Sequence, residues 1–128
     1  MAEHESVRIC RLWMRQINDQ NLDGPVSLAS ADHTFFVEGE NPMVGRDKIL
    51  PSWTGYFDGY PEYVVYEDEL FDLDDAVYVV GHATGSHVPR ELETIPSCVI
   101  WRCVITGERI SEWSIYPATV RFVLNDSR

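Results

Sequence analysis

The sequence predicts an α+β fold: a strongly curved antiparallel sheet with N-terminal helices packed on its concave face. Three observations predict it. Val7, Cys10, Trp13, Met14 and Ile17 recur at helical spacing, with Arg8, Arg11, Arg15 and Gln16 off that stripe. Residues 60–87 read as two long strands joined by an acidic turn, a hairpin pattern. Residues 94–105 and 109–123 then read as two more long strands, separated by the turn signal Thr106-Gly107. Helices gathered early and strands late argue for α+β over a doubly wound parallel sheet.

Each element has its own signals. Ser6 is the expected N-cap of the first helix, and residues 18–24 (NDQNLDG) end it with turn formers. A second short helix is expected over 25–30, with Pro25 in its first turn. Residues 33–38 form a strand around Phe35, Phe36 and Val37, and 39–45 form a loop. Residues 46–57 read as a helix that Pro51 should kink or split, because proline removes an interior hydrogen bond. In the central hairpin, Tyr63, Val64, Val65 and Tyr66 are β-branched or aromatic, types that suit a pleated surface. Asp72, Asp74 and Asp75 supply turn chemistry, and Ala76 to Val80 resume the strand. A lone hairpin is barely stable, so the rest of the chain must cover one face and extend its edge.

A length of 128 residues fits one domain, 1–128, large enough for a real core. Ten basic and 21 acidic residues give a formal charge of −11, which repels phosphate backbones and argues against nucleic-acid binding. Cys98 and Cys103 lie five apart on a predicted strand, so they point to opposite faces and cannot bridge there. Cys10 falls on a predicted helix, no C-x-x-C pair exists, and reduced thiols fit a cytoplasmic location. The opening MAEHESVRIC has no apolar h-region, so no signal peptide is expected. No apolar run approaches the ~20 residues of a membrane helix, so no membrane partner is expected. No ligand spacing suggests a metal, and no cofactor is expected.

In the second hairpin strand, Val77, Val79, Gly81, Ala83, Gly85 and His87 share one row, apolar and small. Tyr78, Val80, His82, Thr84 and Ser86 share the other. That second row mixes apolar and hydroxyl side chains, which suits a homodimer interface on the outer sheet face.

Four segments together resemble the nuclear transport factor 2-like superfamily, nearest its SnoaL-like polyketide cyclases and ketosteroid isomerases. Asn18 to Gly24 is similar to the family's turn after the first helix. Gly45-Arg46-Asp47-Lys48-Ile49, with Trp53, Tyr56, Phe57 and Pro61, resembles its G-R-x-x-I…W…F…P segment. Asp74 to His87 resembles its G-D-x-V-x-V-x-G-x-x-x-G-x-H strand. Arg109-Ile110-Ser111-Glu112-Trp113 with Tyr116 resembles its K-I-x-E-x-x-x-Y ending. The resemblance spans almost the whole chain and implies a cystatin-like cone, with dimers that stack sheets. It does not select an activity, because this fold hosts cyclases, isomerases, hydrolases and plain binding modules.

Two residues are candidates for catalysis. Glu38 ends the first strand, two residues beyond Phe36 and on its face, where the resemblance implies the isomerases' proton-abstracting aspartate. A carboxylate in an apolar pocket has a raised pKa, which suits a general base. The plain alternative is a solvated strand end beside Gly39 and Glu40. The resemblance implies that His87 stands where the cyclases keep a pocket histidine; the alternative is a hydrogen-bonded rim histidine. Trp13, Phe36, Trp53, Tyr56, Trp101 and Tyr116 are candidates to bind a small apolar substrate, although aromatics of this size are usually core.

The departures from the family are specific. Trp101 occupies the place of the third-strand aspartate, and Trp13 that of the isomerase tyrosine. An indole N–H donates one hydrogen bond but exchanges no proton near neutrality. The W-R-D-Y step of the epoxide hydrolases is here Trp113-Ser114-Ile115-Tyr116. Two function classes therefore stand. One is a cofactor-independent isomerase or cyclase acting by proton transfer on an apolar cyclic or polyketide-like molecule. The other is a ligand-binding or dimerisation module that kept the fold and lost the acid–base pair. An enclosed cavity holding Glu38 would favour the first, and an interior plugged by Trp13 and Trp101 the second.

Overall fold

A computed structural model describes residues 4–21, 28–73, 75–93 and 99–117. Helix α1 (Glu5–Asn18) leads to β1 (Ala29–Val37), β2 (Met43–Val44) and α2 (Arg46–Gly59). Strands β3 (Val64–Asp72) and β4 (Val77–Thr84) form the central hairpin. A four-residue helix, α3 (Arg90–Glu93), precedes β5 (Val99–Thr106) and β6 (Arg109–Pro117). The six strands make one sheet in the order β2-β1-β6-β5-β4-β3. The pairs are antiparallel except β1–β6, which is parallel. The fold is thus the α+β class that the element order predicts, with one parallel pair added.

Alternation places the core. Val77, Val79, Gly81 and Ala83 are buried on β4, while Tyr78, Val80, His82 and Thr84 are half-exposed. On the buried face Trp101 and Cys103 of β5 and Trp113 of β6 meet the apolar stripe of α1. Cys10 and Cys103 are free thiols in contact within this core, and the hydrogen bond with Cys10, with burial second, pushes the Cys103 thiol well up. Asn18 ties the end of α1 to the edge strand: its amide donates to Val65 O at 3.0 Å and its Oδ1 accepts from Val65 N–H at 2.8 Å. Arg11 forks onto Glu67 across the same seam, at 2.9 and 3.1 Å.

Several details differ from expectation. His4, not Ser6, is the N-cap of α1, without a side-chain cap bond; Arg8 N–H already bonds His4 O, so Ser6 lies inside the helix. Pro51 neither splits α2 nor ends it. It is exposed, as is Asp47 four residues earlier, so the carbonyl that loses its partner faces water. Ala29 and Ser30 begin β1, while the rest of the short helix expected over 25–30 falls almost wholly outside the described residues. Asp74, Cys98 and the expected strand end over 118–123 also lie outside them. Gly81 is demanded by a bulge in β3 at Asp68: a Cβ there would sit 1.9 Å from Tyr66 O. No helix among the described residues is long and apolar enough to cross a membrane.

Candidate functional site

Strand directions define two ends of the sheet. The C-terminal ends of β1, β4 and β6 and the N-terminal ends of β3 and β5 share one end, the mouth. Glu38, His87 and Tyr116 all belong to it by register. Glu38 follows β1 in the turn 38–40, half-buried, and its own N–H donates to Ile115 O at 2.9 Å. His87 follows β4. Three strand spacings separate β1 from β4, about 14 Å along the sheet. Glu38 and His87 therefore lie at the same end of the sheet but three strands apart, and Phe36, whose face Glu38 is expected to share, lies on the outer face and not the helix-covered one.

The mouth is closed on one side by the second half of α2. Tyr56 OH lies 2.9 Å from His87 Nδ1 and accepts the His87 backbone N–H at 3.3 Å. Burial raises the Tyr56 phenol above its ordinary pKa, against the lowering effect of the His87 hydrogen bond, so it stays protonated at neutrality. With its oxygen accepting the backbone N–H, the phenol has its own proton to offer Nδ1, the arrangement that would leave Nε2–H as the ligand-facing edge of the ring. Tyr60 and Tyr63 complete an aromatic wall, at 4.7 and 5.0 Å from the Tyr56 ring. His87 meets Tyr60 edge-on at 6.1 Å and is itself exposed.

Behind His87 sits a carboxylate that the sequence does not single out. Glu93 is buried and accepts the Ser86 N–H at 2.7 Å and the Ser86 hydroxyl proton. Ser86 Oγ in turn accepts Val88 N–H at 3.1 Å. Gly85 makes this loop possible. Its φ is +71°, and a Cβ would lie 2.4 Å from Glu62 O. The only sequence signal for Glu93 is an acidic residue within reach of a Gly-Ser-His step, which is too common to select.

The interior behind the mouth is filled with aromatic rings. Trp13, Trp101 and Trp113 are at most 1% exposed and Trp53 is 6% exposed. Trp101 stacks on Trp113 at 6.2 Å, and Trp13 contacts Trp113 at 6.0 Å and Trp53 at 6.5 Å. His33, also missed as a site residue, packs on Trp13 at 5.3 Å with no exposed surface. Its Nδ1 lies 2.7 Å from Ile110 O, so Nδ1 carries the proton and Nε2 is a bare acceptor. Burial pushes the His33 pKa down, against the raising influence of Ile110 O, Glu112 and Asp32, which keeps the ring neutral. Nε2 of His33 and the indole N–H groups of Trp13, Trp53 and Trp101 are buried without protein partners.

The six expected substrate-binding residues divide between two faces. Trp13, Trp53, Tyr56 and Trp101 belong to the helix-covered side. Phe35, not Phe36, packs on Trp53, at 5.8 Å. Phe36 packs on Tyr116 at 5.9 Å, in line with Ser114 and Glu112 on the outer face. That outer face also carries Tyr66 stacked on His82 at 4.7 Å, and His82 beside Asp68 at 3.0 Å. Arg102 there joins Glu112 at 2.6 Å and Tyr78 OH at 3.1 Å. Among the described residues no cluster of His, Cys, Asp and Glu is arranged to hold a metal ion.

No protein-family model matches the chain, and no curated protein matches its sequence. Solved structures do match its shape. A SnoaL-like protein from Burkholderia thailandensis superposes with a TM-score of 0.70 at 10% identity, covering 90% of this chain and 96% of that one. An NTF2-like protein from Cytophaga hutchinsonii gives 0.69 at 11% identity over 96% and 99% of the two chains. An LEH-like epoxide hydrolase from M. tuberculosis gives 0.68 at 13% identity over 94% and 90%. Identities this low speak to architecture alone, and on that architecture the chain has the NTF2-like fold.

Proposed function

We propose that the protein is a small-molecule-binding module that kept the NTF2-like fold without a working acid–base pair. The observation that supports this reading is the burial of Trp13 and Trp101, which have no exposed surface and pack within the core cluster, where the family resemblance would put a pocket. A small, largely apolar ligand would then rest at the mouth, against Tyr56 and Tyr60, with His87 Nε2–H as its polar contact. The module is proposed to be cytoplasmic and to act as a homodimer through the outer sheet face, where Tyr66 is 42% exposed. A large negative charge argues against nucleic acid as its partner.

One observation favours a second reading. The unpartnered N–H groups of Trp13, Trp53 and Trp101 and the lone pair of His33 Nε2 are buried hydrogen-bonding groups, each costing about 1–3 kcal/mol if unmet. A substrate carbonyl admitted among them would meet donors aimed at a developing enolate. Glu38 would then be the base and His87 the positioning group of an isomerase or cyclase.

One experiment separates the two. A panel of cyclic ketones is titrated into ¹³C-labelled protein in deuterated buffer, following the Tyr56 and His87 signals and exchange of the ketone's α-hydrogens. The module reading expects saturable shifts at the mouth and no exchange above buffer. Ketone exchange that disappears in Glu38→Gln overturns it in favour of the enzyme, and the absence of any shift removes the mouth as a binding site. Sedimentation at micromolar concentration tests the dimer, which a monomer there contradicts.

A further inference from the structure

The end of the sheet opposite the mouth holds a second concavity. It is a shallow hollow of about 540 Å³, lined by Ser30, Asp32, Arg46, Thr106, Arg109 and Ser111 among others. Its volume lies within the usual range for small-ligand sites. Three separate parts of the chain build it: the start of β1, the first residue of α2 and the β5–β6 hairpin. The G-R step that opens α2 and the R-I step that opens β6 thus meet in one place, although the mouth uses neither.

Charge makes this convergence unusual. The chain carries only ten basic residues against 21 acidic ones, yet two arginines share this hollow. Arg46 is anchored by one bond, Nη1–H to Ala29 O at 3.3 Å, of the five N–H donors a guanidinium has. It also stands at the N-terminus of a 14-residue helix, where the helix dipole adds positive potential. The hydroxyls of the hollow are turned to protein partners. Ser30 donates to Asp32 at 2.7 Å, and Thr106 and Ser111 share a bond at 3.1 Å. The charged groups lining the hollow are the Arg46 and Arg109 guanidiniums and the Asp32 carboxylate, one oxygen of which already accepts from Ser30.

The geometry points to a binding site for a phosphoryl oxyanion at this hollow, held by Arg46 and Arg109, with Asp32 accepting a P–OH or neighbouring hydroxyl of the ligand. Guanidinium forks match the paired oxygens of a tetrahedral phosphate, and such charge-assisted bonds are about twice as strong as neutral ones. A carboxylate beside two arginines repels a fully ionised group, so it selects an anion that carries its own donor. Hydrogenphosphate and hydroxylated phosphate monoesters both meet that description.

Two probes distinguish the sources: inorganic phosphate and glycerol 3-phosphate, titrated into ¹⁵N-labelled full-length protein at fixed ionic strength with chloride as control. The expected result is saturable shifts of the amides of residues 30–32, 46 and 109–111 at millimolar probe or below, with chloride inert. Tighter binding of glycerol 3-phosphate identifies a monoester ligand, and equal or tighter binding of phosphate identifies the free ion. Arg46→Gln and Arg109→Gln should each weaken binding by about tenfold, and Arg109→Lys, which keeps the charge but not the fork, by less. The inference is overturned if neither probe shifts these amides, if chloride shifts them equally, or if both glutamine variants bind like the parent.

Discussion

The two ends of one sheet solve opposite problems with the same strands. At the mouth, polar groups are spent on one another: Tyr56 on His87, Ser86 on Glu93. Tyr60 and Tyr63 flank the first pair, and what remains for a ligand is one exposed imidazole edge and a wall of tyrosine. At the far end two guanidiniums and a carboxylate line an open hollow that, among the described residues, has no aromatic lining. The difference teaches where selectivity can come from. The mouth is suited to shape and apolar surface, and the far end to charge. The core between the strands and α1 is a layer of buried, mutually packed tryptophans.

That layer is the feature whose loss should matter most. Trp101→Ala removes a fully buried indole stacked on Trp113 and should destabilise the fold by about 3–5 kcal/mol. Urea unfolding measures it. A change below about 1 kcal/mol would mean that the stacked indoles do not anchor the core.

The next effect should be confined to the mouth. Glu93→Ala leaves the part-buried Ser86 N–H and hydroxyl without their acceptor, a loss of about 1–3 kcal/mol. Hydrogen exchange should quicken at residues 86–88 and stay unchanged at 30–32 and 109–111. Equal quickening at both ends would show that they are coupled.

Much of this architecture is legible in the sequence, and what is not has identifiable causes. The stripe of α1 and the alternation of β4 can be read because each repeats over many residues. Two-residue β2 and four-residue α3 are too short to show any period. The parallel β1–β6 pair is a contact between distant segments, which local pattern cannot encode. The site was less legible than the fold. Phe35 and Phe36 are chemically alike, and only the register assigns Phe35 to Trp53 and Phe36 to Tyr116. His33 looked like one more strand residue until Ile110 O fixed its tautomer and Trp13 covered its ring. Arg46 and Arg109 were visible in their motifs, but nothing in the sequence says that they meet.

Acid should act through His33, near the hollow end of β1. Its folded pKa is lowered from the ordinary 6.5 by burial, so the unfolded chain binds the proton more readily. The stabilising contribution of neutral His33 is complete above pH 6.5 and declines as pH falls from there toward the folded pKa. In that window the loss approaches about 1.4 kcal/mol per pH unit. Urea midpoints at pH 8 and pH 5.5 should therefore differ more in the parent than in His33→Gln, where the titrating ring is gone. Equal differences would place the acid sensitivity elsewhere.

The smallest expected effect returns to the mouth. Tyr56→Phe deletes one hydroxyl and with it both contacts to His87, the 2.9 Å bond to Nδ1 and the 3.3 Å bond from the backbone N–H. His87 is exposed and water can replace both, so the loss in stability should be only about 0.5–1 kcal/mol. The informative readout is the tautomer. If the Tyr56 hydroxyl donates to Nδ1 in the parent, it holds the imidazole in the Nε2–H form. Without the hydroxyl, Nδ1 is free to carry a proton and the two forms should mix. Nitrogen shifts of a ¹⁵N-labelled His87 ring report this directly. A single, unchanged tautomer in Tyr56→Phe would mean that Tyr56 does not set the hydrogen-bonding edge of the mouth, and the polar contact proposed for a ligand there would lose its support.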